Sequence, residues 1–392
     1  MPESPSPPPP AREVYATAAL YVATVAVYSD MYATQPVLPM LSAEFHVPPA
    51  TAGLTVSAVV LAIALSSTFY GPLADAFGRK RVMVLASALL ALPTLGCSLA
   101  SSLGGLVLLR ALQGMLIPGM TAVSVAFVGD TYPPARVGAV VGGLIGASVA
   151  GGLVGRVGSG WLAAHAGWRA PFVVLAVTTL GSSLLMAWAL PRHAASGRSS
   201  LGAALAGLGG HLRDRRLVGA FLVGFALFFG FIGIFTYLPY RLSAPPFSLP
   251  TGVVSSMYAT YIAGVVVSPV AGRLAPSVGS ERLMGAGIII AAAGALTTLS
   301  GSLPLIVTGL LVLCVGMFTG QAVAPSYVNR TARTARGGAN ALYLTFYYVG
   351  GTLGSVLPGL AWQRWGWPGV ITTCLTAMAV ALVSVTTLSR PP

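Results

Sequence analysis

The chain has 392 residues, 55% of them hydrophobic and 7% charged, with a mean hydropathy of +0.83 and a net charge of +13. A soluble protein is about one-quarter charged, so this composition excludes a water-soluble globular fold. The basic residues stand mostly singly between apolar runs, without the basic helix or aromatic-interleaved patch of a nucleic-acid binder, and read instead as a membrane-topology signal.

The start of the chain, Met1–Pro10, is proline- and serine-rich and reads, through residue 12, as a disordered cytoplasmic tail. It lacks the basic segment, short apolar core and cleavage site of a signal peptide. About twenty apolar residues cross the hydrocarbon core of a bilayer. Twelve such spans are predicted, at 15–39, 52–73, 82–101, 105–127, 138–162, 171–190, 217–239, 251–271, 283–300, 304–325, 338–361 and 369–388. The segment 191–216, with five arginines among serines and glycines, reads as a cytoplasmic linker with helical character around Leu201–Leu212. It divides a six-span block at 13–190 from a second at 217–392. Cys97, Cys314 and Cys374 lie inside apolar runs without metal-ligand spacing and read as packing residues. No metal and no cofactor are expected.

The most charged turn, Gly71-Pro72-Leu73-Ala74-Asp75-Ala76-Phe77-Gly78-Arg79-Lys80-Arg81, joins the second and third spans. Neither its charge nor its bent backbone can face lipid, and its cations hold it on the cytoplasmic side. With both termini on that side, all basic residues but Arg110, Arg156, Arg169, Arg241 and Arg364 fall there as well. A weak copy of the turn, Gly272–Arg282, follows 201 residues later with Leu, Ala, Gly and Arg in register, but with Pro276 where Asp75 aligns. Trp161…Gly167-Trp168 is likewise echoed by Trp362…Gly366-Trp367. Repeats that relate whole halves of a membrane protein mark secondary transporters.

These residues resemble the major facilitator superfamily. The charged turn is similar to that family's loop between helices 2 and 3. Leu109-Arg110-Ala111-Leu112-Gln113-Gly114 resembles its helix 4 motif, Asp130…Arg136 its loop between helices 4 and 5, and Gly167-Trp168-Arg169 its entry to helix 6. The resemblance implies an all-α membrane protein, two pseudo-symmetric six-helix bundles around a central cavity open alternately to each side. Tyr28-Ser29-Asp30-Met31-Tyr32-Ala33-Thr34-Gln35-Pro36 is similar to the first helix of drug and sugar efflux members. The glycines of the fifth span are similar to the motif of proton-driven antiporters, although Ala147 follows Gly146 where that motif has a Gly-Pro pair.

Asp30 is the one acid placed well inside a span, past its midpoint towards the outer side, where a carboxylate must face water or a partner. It reads as a proton carrier or a cation-binding acid, the alternative being an acid solvated near the outer headgroups. Arg110, which keeps its proton, reads as its electrostatic partner in coupling or as a structural arginine on backbone carbonyls. Gln113 shares its helical face and reads as a substrate-cavity hydrogen-bonder or as an interhelix packing residue. Tyr28, Tyr32 and Gln35 form a polar stripe at the cavity end of helix 1 and read as substrate-cavity residues; Pro36 and Pro39 should kink or end that helix. In the second half, Phe228, Phe231, Tyr237, Tyr258, Tyr261, Asn340, Tyr343 and Tyr347 are candidates for the cavity wall, or for simple packing. An aromatic cavity without a second acid suits an apolar or weakly polar substrate. Gly71, Asp75, Gly78, Arg79, Lys80, Asp130 and Arg136 read as a latch between the halves, and Gly142, Gly146, Gly151 and Gly155, with Gly158, as one smooth packing face of helix 5. A phosphate-binding glycine loop is excluded, because no GKS or GKT follows and no soluble strand precedes.

The function expected is secondary active transport, not enzymatic chemistry: proton-coupled efflux of a small organic compound from a multi-pass monomer in a bacterial inner membrane. Its partners would be substrate, protons and lipid, without nucleic acid. The alternatives are import of a sugar or metabolite, and a transport-dead membrane sensor.

Overall fold

The computed structural model describes residues 10–191, 208–332 and 336–388, which are almost entirely helical, with no strand among them. The tail through Pro9, the linker residues 192–207 and the cations Arg192, Arg198, Arg333 and Arg390 lie outside the described residues. In chain order the long helices are α1 (Glu13–Phe45), α2 (Pro49–Phe77), α3 (Arg79–Ser98), α4 (Leu103–Thr131), α5 (Pro134–Ala166), α6 (Ala170–Ala189), α7 (Arg215–Ser243), α8 (Thr251–Val278), α9 (Ser280–Thr297), α10 (Leu303–Thr331), α11 (Arg336–Gly354) and α12 (Leu357–Val385). All but α9 and α11 are individually long and apolar enough to cross a membrane. The charges Glu281 and Arg282 dilute α9, and Asn340 with three tyrosines dilutes α11.

Several helices overrun the predicted spans: α1 reaches Phe45, α10 reaches Thr331, and α5 runs 33 residues. Apolar runs mark only the hydrocarbon core, whereas helical hydrogen bonding continues into the headgroup layer. Pro36 and Pro39 kink α1 rather than end it. Its first segment stops at Tyr32, a 3-10 turn covers Gln35–Val37, and the α-helix resumes over Leu38–Phe45. A second 3-10 stretch, Met257–Tyr261, interrupts α8. The first turns of α12 continue the course of α11, and the chain then reverses at Gly366 (φ 59°). Pro358 and Cys374 both approach Gly233, which two residues about 24 Å apart on one straight helix could not do.

The repeat is visible in the backbone. Gly78 (φ 86°, ψ 133°) and Gly279 (φ 94°, ψ 136°) make the same left-handed turn, each donating its N–H to an alanine carbonyl, Ala74 or Ala275. Only glycine enters that conformation without strain. Helices α1–α6 and α7–α12 thus form two related bundles. Outer faces such as Leu85, Leu89 and Leu92 on α3 or Leu184 and Trp188 on α6 are left exposed, as lipid-facing surfaces are.

The bundles meet along α1 with α7, α2 with α11, and α5 with α8. At the end carrying the α1–α2 turn the seam is tight. Gln35 Nε2 donates to Thr236 Oγ1 (3.1 Å), Tyr240 donates to the Leu38 carbonyl (3.0 Å), and the Ser57 and Ser355 hydroxyls share a hydrogen bond of 2.6 Å. Gln35 and Thr236 are 201 residues apart, so equivalent positions of the two halves touch at the pseudo-twofold axis. Towards the Gly78 end the seam opens. A side chain on Gly160 of α5 would collide with Ser255 of α8, yet Gly142, five turns away on the same face, meets nothing within 4 Å. On α2, Gly53 abuts the Ser355 carbonyl, and Gly71, five turns further, again meets nothing within 4 Å. Both interfaces therefore splay into one wedge-shaped gap.

Candidate transport site and coupling residues

The unwinding of α1 after Tyr32 leaves the last carbonyls of its first segment without helical partners. Arg110 of α4 fills that role. Its Nη1 donates to the Asp30 carbonyl (2.8 Å), Nη2 to the Met31 carbonyl (2.6 Å) and Nε to the Thr55 carbonyl of α2 (3.2 Å). Nη1 also donates to Gln113 Oε1 (2.7 Å), and Gln113 Nε2 donates to Thr94 Oγ1 of α3 (2.7 Å). Arg110 is thus brought to the main chain of Asp30, not into an ion pair with its carboxylate. The Asp30 side chain, fully buried, turns towards α6, where Thr179 donates to Oδ2 (2.7 Å). Oδ1 has no hydrogen bond among the described residues. Asp30, Arg110 and Gln113 therefore form one network inside the first bundle, and Gln113 stands in its interior.

Tyr32 and Gln35, which the sequence groups with Asp30, face the other way, into the seam. There they meet Arg156 of α5, a residue that sorting cations by span had left at the outer side. It is 1% exposed. Its Nε donates to Gln35 Oε1 (2.6 Å) and its Nη1 to the Gly152 carbonyl (2.8 Å). The guanidinium lies 3.5 Å from the Tyr32 ring centre and 4.6 Å from that of Tyr261, with Tyr258 at 5.7 Å. Each 3-10 interruption supplies part of this cluster: Gln35 from α1, Tyr258 and Tyr261 from α8. The signal for Arg156 was present, a lone arginine in an apolar run.

The aromatic candidates of the second half join this cluster. Tyr347 stacks on Phe228 (3.9 Å), Phe228 neighbours Phe231 (6.4 Å), and Phe231 packs on Tyr261 (4.7 Å). Phe235 and Tyr348, not singled out from sequence, extend the wall. Tyr343 packs against Gly224, and Tyr28 lies part-buried on α1 beside Gly151. Tyr237 stands apart, donating to the Ser355 carbonyl (2.6 Å) in the closed end of the seam, and Asn340 bonds Asn329 Oδ1 (2.6 Å) within its own bundle.

A model of the family described as "Major Facilitator Superfamily" matches residues 20–320 and 247–392, which together take in both bundles. The chain belongs to this superfamily. It is a multi-pass membrane transporter and not an enzyme. It is 33% identical over 376 residues to the inner membrane transport protein YnfM of Escherichia coli (strain K12), covering 95% of this chain and 90% of that one. It is 31% identical over 368 residues to the uncharacterized MFS-type transporter YybF of Bacillus subtilis (strain 168), covering 93% and 91%. Among solved structures it is similar in fold to the nucleoside transporter NupG (TM-score 0.78, 12% identity, covering 96% of this chain and 100% of that one). It also resembles an inward-facing, unoccupied bacterial homologue of the human lysosomal transporter Spinster (TM-score 0.75, 16% identity, covering 97% and 95%).

The superfamily's charged turn contacts its own bundle. Arg79 pairs with Asp130 and donates to the Ala126 carbonyl of α4, with Asp75 at 4.0 Å; Lys80 donates to the Leu190 carbonyl. Arg136 pairs with Glu13 at the head of α1 (2.6 Å), rather than with Asp75 or Asp130. The single glycine face expected on α5 divides in two. Gly151 and Gly155 abut the α1 backbone at Val25 and Ser29, whereas Gly142 and Gly146 face open space. Gly158 also meets nothing within 4 Å. Nine residues at about 100° each put Gly142 and Gly151 on opposite sides, so spacing near i+4 did not amount to one stripe.

Proposed function

We propose that the chain is a proton-coupled exporter of a small organic compound, working by alternating access of its two bundles in a bacterial inner membrane, with both termini in the cytoplasm. Under that orientation the wedge-shaped gap opens to the cytoplasm. The observation that carries the reading is Asp30: a fully buried carboxyl with one oxygen on Thr179 and the other without a hydrogen bond among the described residues. Its own carbonyl is gripped by Arg110 at the kink of α1. Gain or loss of a proton there changes the charge beside the break in the helix that reaches the seam through Tyr32 and Gln35. A buried charge is costly, so its protonation state biases which packing of α1 is preferred. Protonation from outside and substrate binding from inside would then alternate.

The test is Asp30→Asn, whose side-chain oxygen still accepts from Thr179. A growth screen of an overexpressing strain against drugs, sugars and amino acids supplies a transported compound. In proteoliposomes, transport of that compound driven by an imposed proton gradient should fall about tenfold or more, while exchange without a gradient persists. Unchanged gradient-driven transport would remove Asp30 from the mechanism. One feature favours import or facilitated passage, the missing Gly-Pro pair on α5; net uptake insensitive to a protonophore would establish that reading.

A further inference from the structure

Arg156 is held by the first bundle and covered by the second, yet no acid pairs with it among the described residues. Of the chain's eight acids, four pair with Arg79, Arg136 and Arg169, Asp214 and Glu281 sit at the heads of α7 and α9, and Asp30 turns to α6. Glu3 lies outside the described residues. A guanidinium cannot shed its charge, and one buried without an anion is costly. The rings of Tyr32 and Tyr261 offset part of that cost. Two donors of the cluster remain unused among the described residues, Arg156 Nη2 and the Tyr261 hydroxyl. Nη2 can only be satisfied by an acceptor, the hydroxyl by an acceptor or a donor, and an arginine fork matches a carboxylate.

The position is also that of a substrate. On α5, Arg156 lies one turn from Gly160, where the seam is shut, and within about 40° of the face of Gly142, where it is open. It thus stands at the apex of the gap. Through Gln35 it is linked to Thr236 of α7, and through its ring contacts to α8, so an anion bound there touches both bundles. From Tyr261 the aromatic wall of Phe231, Phe228 and Tyr347 leads away, an apolar surface for the rest of a molecule.

We propose that Arg156 binds the carboxylate of an aromatic or otherwise apolar organic acid, which deepens the exporter reading above and rests on it. It changes the expected cargo from an apolar or weakly polar compound to an amphipathic anion.

Purified full-length protein in detergent is followed by thermal unfolding with three carboxylates, 4-hydroxybenzoate, cinnamate and indole-3-acetate, each beside its own carboxamide, and with inorganic phosphate. At least one carboxylate should raise the melting temperature while its amide and phosphate do not. Arg156→Lys, which keeps the charge and loses the fork, should weaken that ligand about tenfold, and Arg156→Gln should abolish its effect. If Arg156→Gln does not fold, Arg156→Lys decides. The inference is overturned if no carboxylate outperforms its amide, if phosphate matches it, or if the Arg156 variants bind as the wild type. Gradient-driven export of a neutral compound, with no carboxylate effect, would sink this inference alone; carboxylate binding without any protonophore sensitivity would sink the proton coupling alone.

Discussion

The two bundles follow one backbone plan and carry different chemistry. The first holds three charges inside its helices, Asp30, Arg110 and Arg156; the residues 201 positions later are Phe231, Leu311 and Leu357. On α7 every residue from Ala226 to Pro239 is buried, including four phenylalanines and no charge. Under the proposed alternating access, two rocking bodies would use a repeated scaffold, since matched turns such as Gly78 and Gly279 would let both move alike. The ionic groups need to exist only once. Under the proposed function, placing them in one copy makes that copy the responsive one and leaves its twin to supply a wall.

The largest test of this asymmetry compares Arg110→Ala with Leu311→Ala. The first change strands three carbonyls and the Gln113 amide oxygen in the bundle interior. Breaking a buried charged network in this way costs about 3–5 kcal/mol. Leu311 is 39% exposed on the outside of its bundle, where lipid replaces the lost contacts, so its truncation should cost under about 1 kcal/mol. Unfolding of both variants in detergent measures the difference, and equal losses would mean that the second bundle depends on its lipid-facing surface as much as the first on its ions.

A smaller difference is expected within α5. Gly155→Leu drives a side chain into the Ser29 backbone of α1, an overpacking that typically costs about 1–3 kcal/mol. Gly142→Leu enters open space and should leave stability unchanged. If the bundles rock to close the gap, however, Gly142→Leu obstructs the closed packing and lowers the transport rate severalfold. Loss of stability at Gly142 would show that this face is already packed, and full activity there that it never meets α8.

How much of this was legible beforehand follows from what a sequence encodes locally. Spans, the charged turn and the repeat are patterns along the chain, and they reappear as helices, as the Gly78 turn and as its Gly279 counterpart. Direction of facing is different. Asp30 and Tyr32 are two residues apart, yet one points to α6 and the other to the seam, because the helix carries them about 200° apart. Arg156 was counted as an outer-side cation because distance along a span does not reveal that α5 is covered by α8. The pairing of Gln35 with Thr236 required both bundles to be in place. Chain order showed which residues were costly to bury; only the packing showed which neighbours received them.

The smallest effect concerns the turn that orients the chain. Asp75 lies 4.0 Å from Arg79, which is also anchored by Asp130 and by the Ala126 carbonyl. Losing one partner of a half-exposed cluster changes stability by about 0–1 kcal/mol, so Asp75→Asn should unfold almost as the wild type does. Its consequence should be kinetic. In this open arrangement Gly71, on the same helix end, meets nothing within 4 Å; we propose that Asp75 contacts the second bundle in the opposite arrangement and holds that one closed. The repeat has Pro276 at this place and cannot substitute for it. Asp75→Asn should therefore alter transport rate and the balance between the two arrangements, read by cysteine accessibility at Gly142→Cys, with substrate affinity unchanged. A change in affinity alone would mean that the turn is not a latch and that the asymmetry between the bundles ends at the membrane interior.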